Sequence, residues 1–208
     1  NNTNLLSNIT NTKIYQVPLL HSNFLERIYE INKDVKEEKT IDVLFYGYCN
    51  PRRRRLKNRL LAKGLVVKFV NVFDHVELIK LIQRSKIVLV VHMIEENNFF
   101  DSYRINILLS NKCFIIHENI QEEYFINYQN LQLMNKDYND IKKNITDIVN
   151  MNDLHKYIIF CNYNEIVDKC LFYLNSNNSK LVNNTYNWVK EYHTMDKYIP
   201  YDEIFKLI

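Results

Sequence analysis

Residues 86–118, KIVLVVHMIEENNFFDSYRINILLSNKCFIIHE, constrain the fold more than any other stretch of the chain. Residues 88–91 form an unbroken apolar run between Ser85–Lys86 and His92. A strand that is apolar on both sides of its pleat has both faces covered, as in a parallel sheet. From Phe99 the period becomes helical: Phe100, Tyr103, Ile107 and Asn111 keep one stripe, which Ile105, Leu108 and Leu109 widen. A second short buried run follows at 113–116. Polar residues gather where these strands end, with His92, Glu95, Glu96, Asn97 and Asn98 after the first and His117 and Glu118 after the second. Open α/β sheets bind ligands at that edge, so chemistry is expected there.

The same alternation extends in both directions. Residues 41–47 (IDVLFYG) read as a strand, and Asn50–Pro51 as a helix start, with Asn at the cap and Pro at the first helical position. That helix runs through RRRRLKNRLLAK and stops at Gly64, which tolerates positive φ. Residues 65–73 are the next strand, and Asp74 caps a helix with Val76, Ile79 and Ile82 near one face. This order predicts an α/β fold, a Rossmann-like doubly wound parallel sheet with right-handed crossovers. Further on, 157–161 is a strand, Asn164 caps EIVDKCLFYL, SNNS at 176–179 turns, and 180–192 forms a last helix. Region 119–156 shows no clear period. Three parts are therefore expected: 1–40 as an N-terminal segment or interdomain connection, 41–175 as the main domain, and 176–208 as a C-terminal helix and tail.

Composition narrows the choice of function. The chain contains 2 glycines in 208 residues, which excludes GxGxxG and Walker-type phosphate loops. A formal net charge of +3 implies no broad nucleic-acid footprint. Cys49, Cys113, Cys161 and Cys170 lack CxxC spacing, as expected of buried free thiols in a reducing, cytoplasmic setting. No signal peptide is visible, and no apolar run reaches the roughly 20 residues of a membrane span. The surplus of Asn, Ile, Lys and Tyr points to an AT-rich genome such as that of a large DNA virus. A chain that starts at Asn reads as a piece of something longer.

Three constellations could carry chemistry. In GYCNPRRRR, 47–55, the helix start follows a strand directly, and its N–H groups and dipole attract phosphate. Arg52 and Arg53 could reach a diphosphate there. Arg53 shares a stripe with Leu56 and Leu60 and leans toward the sheet, while Arg54 and Arg55 face outward. The competing reading is a solvated basic face, with nucleic-acid contact a lesser alternative. Glu95, Glu96 and Asp101 could accept bonds from sugar hydroxyls, although Asp101 and Arg104, three residues apart, could equally pair with each other. His92 and His117, with Glu118 beside them, make a weak metal signal and fit hydrogen bonding in a cleft better. They also fit ordinary strand-end histidines.

Taken together, DVLFYGYCNPRRRR, LLAKGLVVKFVNVF and the stretch from ELIKLIQRSKIVLVVH to IIHE resemble the C-terminal half of a family of GT-B glycosyltransferases. The matching positions are Ser85–Lys86–Ile87, His92, Glu95–Glu96, Phe100–Asp101, Arg104, 108–111 and 115–118, and the likeness covers about residues 41–175. Asp101 stands where that family usually has Glu, His117 where it has Ser, and Arg104 occupies the eighth position after Glu96. The resemblance implies a GT-B C-terminal-type domain that binds a nucleotide-diphosphate sugar as substrate, with no cofactor and no obligatory metal. It implies Glu95, Glu96 and His92 as catalytic residues. Gly47, Asn50, Arg52, Arg53, Phe100, Asp101, Arg104, His117 and Glu118 would bind the donor. The acceptor-binding half of such enzymes is not evident in 1–40, and the acceptor could be a glycan, a protein or a small molecule. The alternative is a Rossmann-like binding or interaction module without catalysis.

Overall fold

A computed structural model of the chain describes residues 38–95, 101–120 and 156–192. Five strands form one all-parallel sheet: β1 (Ile41–Tyr46), β2 (Val67–Val70), β3 (Ser85–Val90), β4 (Ile115–Glu118) and β5 (Ile159–Cys161), in the order β2-β1-β3-β4-β5. Helices α1 (Pro51–Leu61), α2 (His75–Gln83), α3 (Ser102–Leu109), α4 (Ile166–Leu174) and α5 (Ser179–Tyr192) flank it. The α/β, Rossmann-like character expected from the alternation is therefore present.

The apolar runs are unbroken because each strand serves two cores. In β1, Val43 and Phe45 face α1 and α4, whereas Leu44 and Tyr46 face α2, α3 and α5. In β3, Ile87 and Leu89 take the first side and Val88 and Val90 the second. Leu56 and Leu60 of α1 and Cys170 of α4 fill one layer; Ile79 and Ile82 of α2, Leu108 of α3 and Val189 of α5 fill the other. Right-handed crossovers require this split: α1 leads outward from β1 to β2, while α2 leads back over β1 to β3. The order reverses between β1 and β3, and their carboxyl ends flank the crevice where such sheets bind ligands.

Local signals were realised with small shifts. Asn50 caps α1 by accepting the Arg53 N–H, Asp74 caps α2 by accepting the Glu77 N–H, and Gly64 has φ +76 just beyond α1. Strand β2, Val67–Val70, is shorter than the expected 65–73. Val76 and Tyr103, assigned to buried stripes by spacing, are exposed at 46 % and 67 %; Leu78 points inward in α2, and Ile105, Leu108 and Leu109 are buried as expected in α3. Asn162, not Asn164, caps the turn before α4, in a reciprocal box with Glu165 that opens a short 3₁₀ turn. His117 and Glu118 lie within β4 and are buried, rather than following it.

Residues 96–100, with Glu96 and Phe100, and 1–37, 121–155 and 193–208, with the expected N-terminal segment and C-terminal tail, fall outside the described residues. No helix among the described residues is long and apolar enough to cross a membrane. Cys113, Cys161 and Cys170 are buried free thiols, each pushed up to about 12 by burial, so they fill volume without reactivity.

Leu60 has no exposed surface and sits under the outer layer. Leu60→Ala should cost about 2–5 kcal/mol through lost contact and a residual cavity; urea denaturation monitored by circular dichroism measures it.

Candidate functional site

The carboxyl edge gathers most of the residues singled out from the sequence. Gly47 ends β1 with φ +119, a region L side chains rarely adopt. A Cβ there would stand 3.1 Å from Arg104 Nη2, so glycine also leaves room for that guanidinium. The chain then turns through exposed Tyr48 into Asn50, whose Nδ2 donates to Met93 O, 2.5 Å away. Helix α1 is thereby fastened to the segment that follows β3.

Two neighbouring arginines extend this fastening. Arg52 donates two bonds to the Glu118 carboxylate and a third to His92 O at 3.2 Å. The same carboxylate accepts the His92 backbone N–H at 2.9 Å. Both side chains of the pair are largely buried, at 12 % and 7 % exposure. Burial opposes the Arg52 charge, but Glu118 outweighs it and the pKa rises. Arg53 turns the other way and gives Nε and Nη2 to Val91 O and Nη1 to Tyr48 O. Burial, with Arg104 and Arg52 close by, pulls its pKa down to about 10. As the helical stripe implied, Arg53 is buried while Arg54 and Arg55 are exposed.

This arrangement changes what the tip of α1 offers an anion. Pro51 has no N–H, the Arg53 N–H is taken by Asn50 Oδ1 and the Arg54 N–H by Asn50 O. Of the first-turn donors, that of Arg52 remains. The Arg52 and Arg53 side chains, expected to reach a diphosphate, are committed to Glu118 and to main-chain carbonyls.

The other candidates divide between interior and rim. His92 is buried at 7 % exposure, with Nε2 2.9 Å from Asn119 O. His117 has no exposed surface; its ring lies between those of His92 and Phe160, at 5.6 and 5.2 Å, and Nδ1 is 2.5 Å from Glu118 O. Burial, reinforced by His92 and Arg104, pulls its pKa down to about 3. At that depth the ring lies beneath the rim, in contact with His92 and Phe160. At the rim, Glu95 is exposed, and Asp101 caps α3 while pairing with Arg104 Nε at 3.3 Å. The Arg104 guanidinium rests over the Phe45 and Tyr46 rings. Burial lifts the Tyr46 hydroxyl above its usual range. Among the described residues, no group of three His, Cys, Asp or Glu lies close enough to hold a metal ion.

Tyr163 was missed by sequence reasoning. Its hydroxyl donates to Arg52 O at 2.6 Å and its ring lies 3.8 Å from the Arg52 guanidinium carbon. It is 111 residues from Arg52, and the only available cue was its place just after β5, on the same edge. No family model, curated protein or solved structure matches the chain. What fold and site define is a parallel α/β domain with an internally braced polar carboxyl edge.

Two outcomes test the brace. Glu118→Gln should destabilise by about 3–5 kcal/mol by stranding Arg52, whereas Arg52→Met combined with Glu118→Leu should recover most of the loss; a denaturation cycle measures both. For His117 the unfolded chain binds a proton near pH 6.5 and the folded chain only near 3. Stability should therefore fall as pH drops from about 6.5 toward 3. His117→Gln should flatten that part of a pH series of thermal midpoints.

Proposed function

We propose that this chain is the donor-binding domain of a metal-independent glycosyltransferase of the GT-B kind, holding a nucleotide-diphosphate sugar at the carboxyl edge of β1 and β3. The observation that carries the reading is convergence: Gly47, Asn50 and Arg52 from one connection and His92, Asp101 and Arg104 from the next meet at the point where strand order reverses. The resemblance of 41–175 to that family supports it further.

The residues divide the task by how tightly each is held. Arg52, Arg53 and Glu118 form the platform. Arg104 is the cation that a diphosphate recruits at least cost, because Asp101 lies 3.3 Å from its Nε without a hydrogen bond to that atom and is itself 35 % exposed, whereas Arg52 makes three bonds. Swinging onto phosphate, Arg104 offsets the charge that builds on the departing nucleoside diphosphate. Asp101, once released, accepts a hydroxyl of the ribose or sugar, and exposed Glu95, with Glu96 beside it in sequence, faces the transferred sugar.

A second reading has one observation in its favour. The His92 ring nitrogen is already engaged by Asn119 O, and the edge cations are matched by carboxylates and carbonyls, as in a module that binds without reacting. Saturable donor binding with no release of sugar, with or without acceptors, would select it.

Calorimetric titration with UDP-, GDP- and dTDP-glucose should show saturable binding of at least one. Arg104→Gln should weaken that binding by about tenfold, the loss of roughly one charge-assisted bond. No saturable binding to any of the three would overturn the proposal.

A further inference from the structure

Between Asp42 and Asp74 the chain has no acidic residue, while eight Lys and Arg fall between 52 and 68. At 24 acidic residues in 208, a stretch of that length would hold roughly three or four. Arg52 and Arg53 are spent inside the carboxyl edge. Arg54, Arg55, Arg59, Lys63 and Lys68 are exposed and Lys57 is half-buried, and none of these six forms an ion pair with another described residue. Asp42, at the start of β1, is already occupied: it pairs with Lys86 at 2.7 Å and accepts the Val66 N–H at 2.8 Å.

Helix α1 places several of these cations on one flank of the domain. It turns Arg53, Leu56 and Leu60 inward, and it turns Arg52 and Arg59 toward α4, where Arg59 donates to Asn164 O at 2.9 Å and Arg52 meets the Tyr163 ring. At about 3.6 residues per turn, Arg54, Lys57 and Leu61 share the opposite side, toward β2. Strand β2 is the edge of the sheet, paired with β1 alone. Val67 and Phe69 pack into the layer under α1, which leaves Val66 and Lys68 turned out at the open edge. Apolar side chains accompany the cations there: Leu61 is exposed at 46 %, Val66 at 53 % and Phe73, just past β2, at 85 %.

A surface that is basic and apolar together selects among polyanions. The phosphates of a nucleic acid would satisfy the cations but leave Leu61 and Val66 in water. A bilayer with anionic lipid takes both, since headgroup phosphates pair with Lys and Arg while apolar side chains enter the boundary between headgroups and acyl chains. Long basic stems lie along apolar surface and carry their charge to the headgroups. We propose that the flank formed by α1 and β2 docks the domain on an anionic phospholipid surface. Arg54, Lys63 and Lys68 meet the headgroups, and Leu61, Val66 and Phe73 enter the boundary. The proposal is independent of the donor reading at the carboxyl edge.

The test is co-sedimentation of the full chain with vesicles of phosphatidylcholine, alone or with about one quarter phosphatidylserine. Binding to the anionic vesicles is expected, weakening as salt is raised, and binding to phosphatidylcholine alone should be at least about tenfold weaker. Arg54→Gln combined with Lys63→Gln should weaken it by about tenfold, and Leu61→Gln combined with Val66→Thr by about fivefold. All four side chains are exposed, so both variants should keep the parent's circular dichroism and thermal midpoint. Lys180→Gln with Lys190→Gln on α5 removes the same charge elsewhere and should leave vesicle binding unchanged, as should Arg104→Gln. A uridine oligonucleotide, the competing polyanion, should bind more weakly than the anionic vesicles. Failure to sediment with anionic vesicles, equal loss in the α5 variant, indifference to the paired Leu61 and Val66 changes, or tighter binding of the oligonucleotide would each overturn the proposal.

Discussion

The buried pair of Arg52 with Glu118 is the contact on which the carboxyl edge depends. Backbone hydrogen bonds order the strands of a parallel sheet, but they stop where the strands stop, and the connections beyond need another tether. Here a guanidinium on the first turn of α1 reaches across to the end of β4 and takes in the carbonyl of His92 on the way. Arg53 makes the matching reach to Val91 and Tyr48. The tethers are side chains because close backbone approaches need glycine, and this chain has 2. One of those two, Gly47, is placed where positive φ and the Arg104 guanidinium both require it.

That tether costs desolvation, and it holds only because every partner is satisfied. Leaving one member of a buried pair alone is far more expensive than removing both. The surrounding aromatic rings contribute as well: Tyr163 lies against the Arg52 guanidinium and Phe45 under Arg53 and Arg104. Beneath them the neutral His117 ring fills space in β4, at a depth where a charged imidazolium would be strongly disfavoured. The polar edge thus rests on the same two-sided apolar packing that defines the sheet.

Local features of the fold were legible from the sequence because their causes are local. Asn50–Pro51, Asp74 and Gly64 act within one helical turn, and the stripe of Arg53, Leu56 and Leu60 is a matter of period. Short helices were harder: in α3, 8 residues long, two stripes fit the apolar residues, and packing rather than period turned Tyr103 outward. His117 and Glu118 looked like residues after a strand because they are polar; β4 carries them inside because Arg52 arrives from 66 residues away to neutralise one of them. Strand order and the role of Tyr163 belong to the same class of information. No window of sequence contains both partners, so spacing could place the candidates on one edge but could not say which of them bind each other.

That distinction bears directly on what the edge can do. A cation held by a buried bidentate carboxylate is unavailable to a ligand, since capturing it means breaking a contact worth several kcal/mol. A cation that faces one half-buried carboxylate at 3.3 Å, with no hydrogen bond to its Nε, is less firmly committed, and Arg104 beside Asp101 is such a cation. By that criterion the arginines at the start of α1 build the edge, and Arg104, isolated in sequence, is its less firmly held cation. Placing Arg104 over Phe45 and Tyr46 and beside Gly47 holds its guanidinium near the reversal of strand order without fixing its partner.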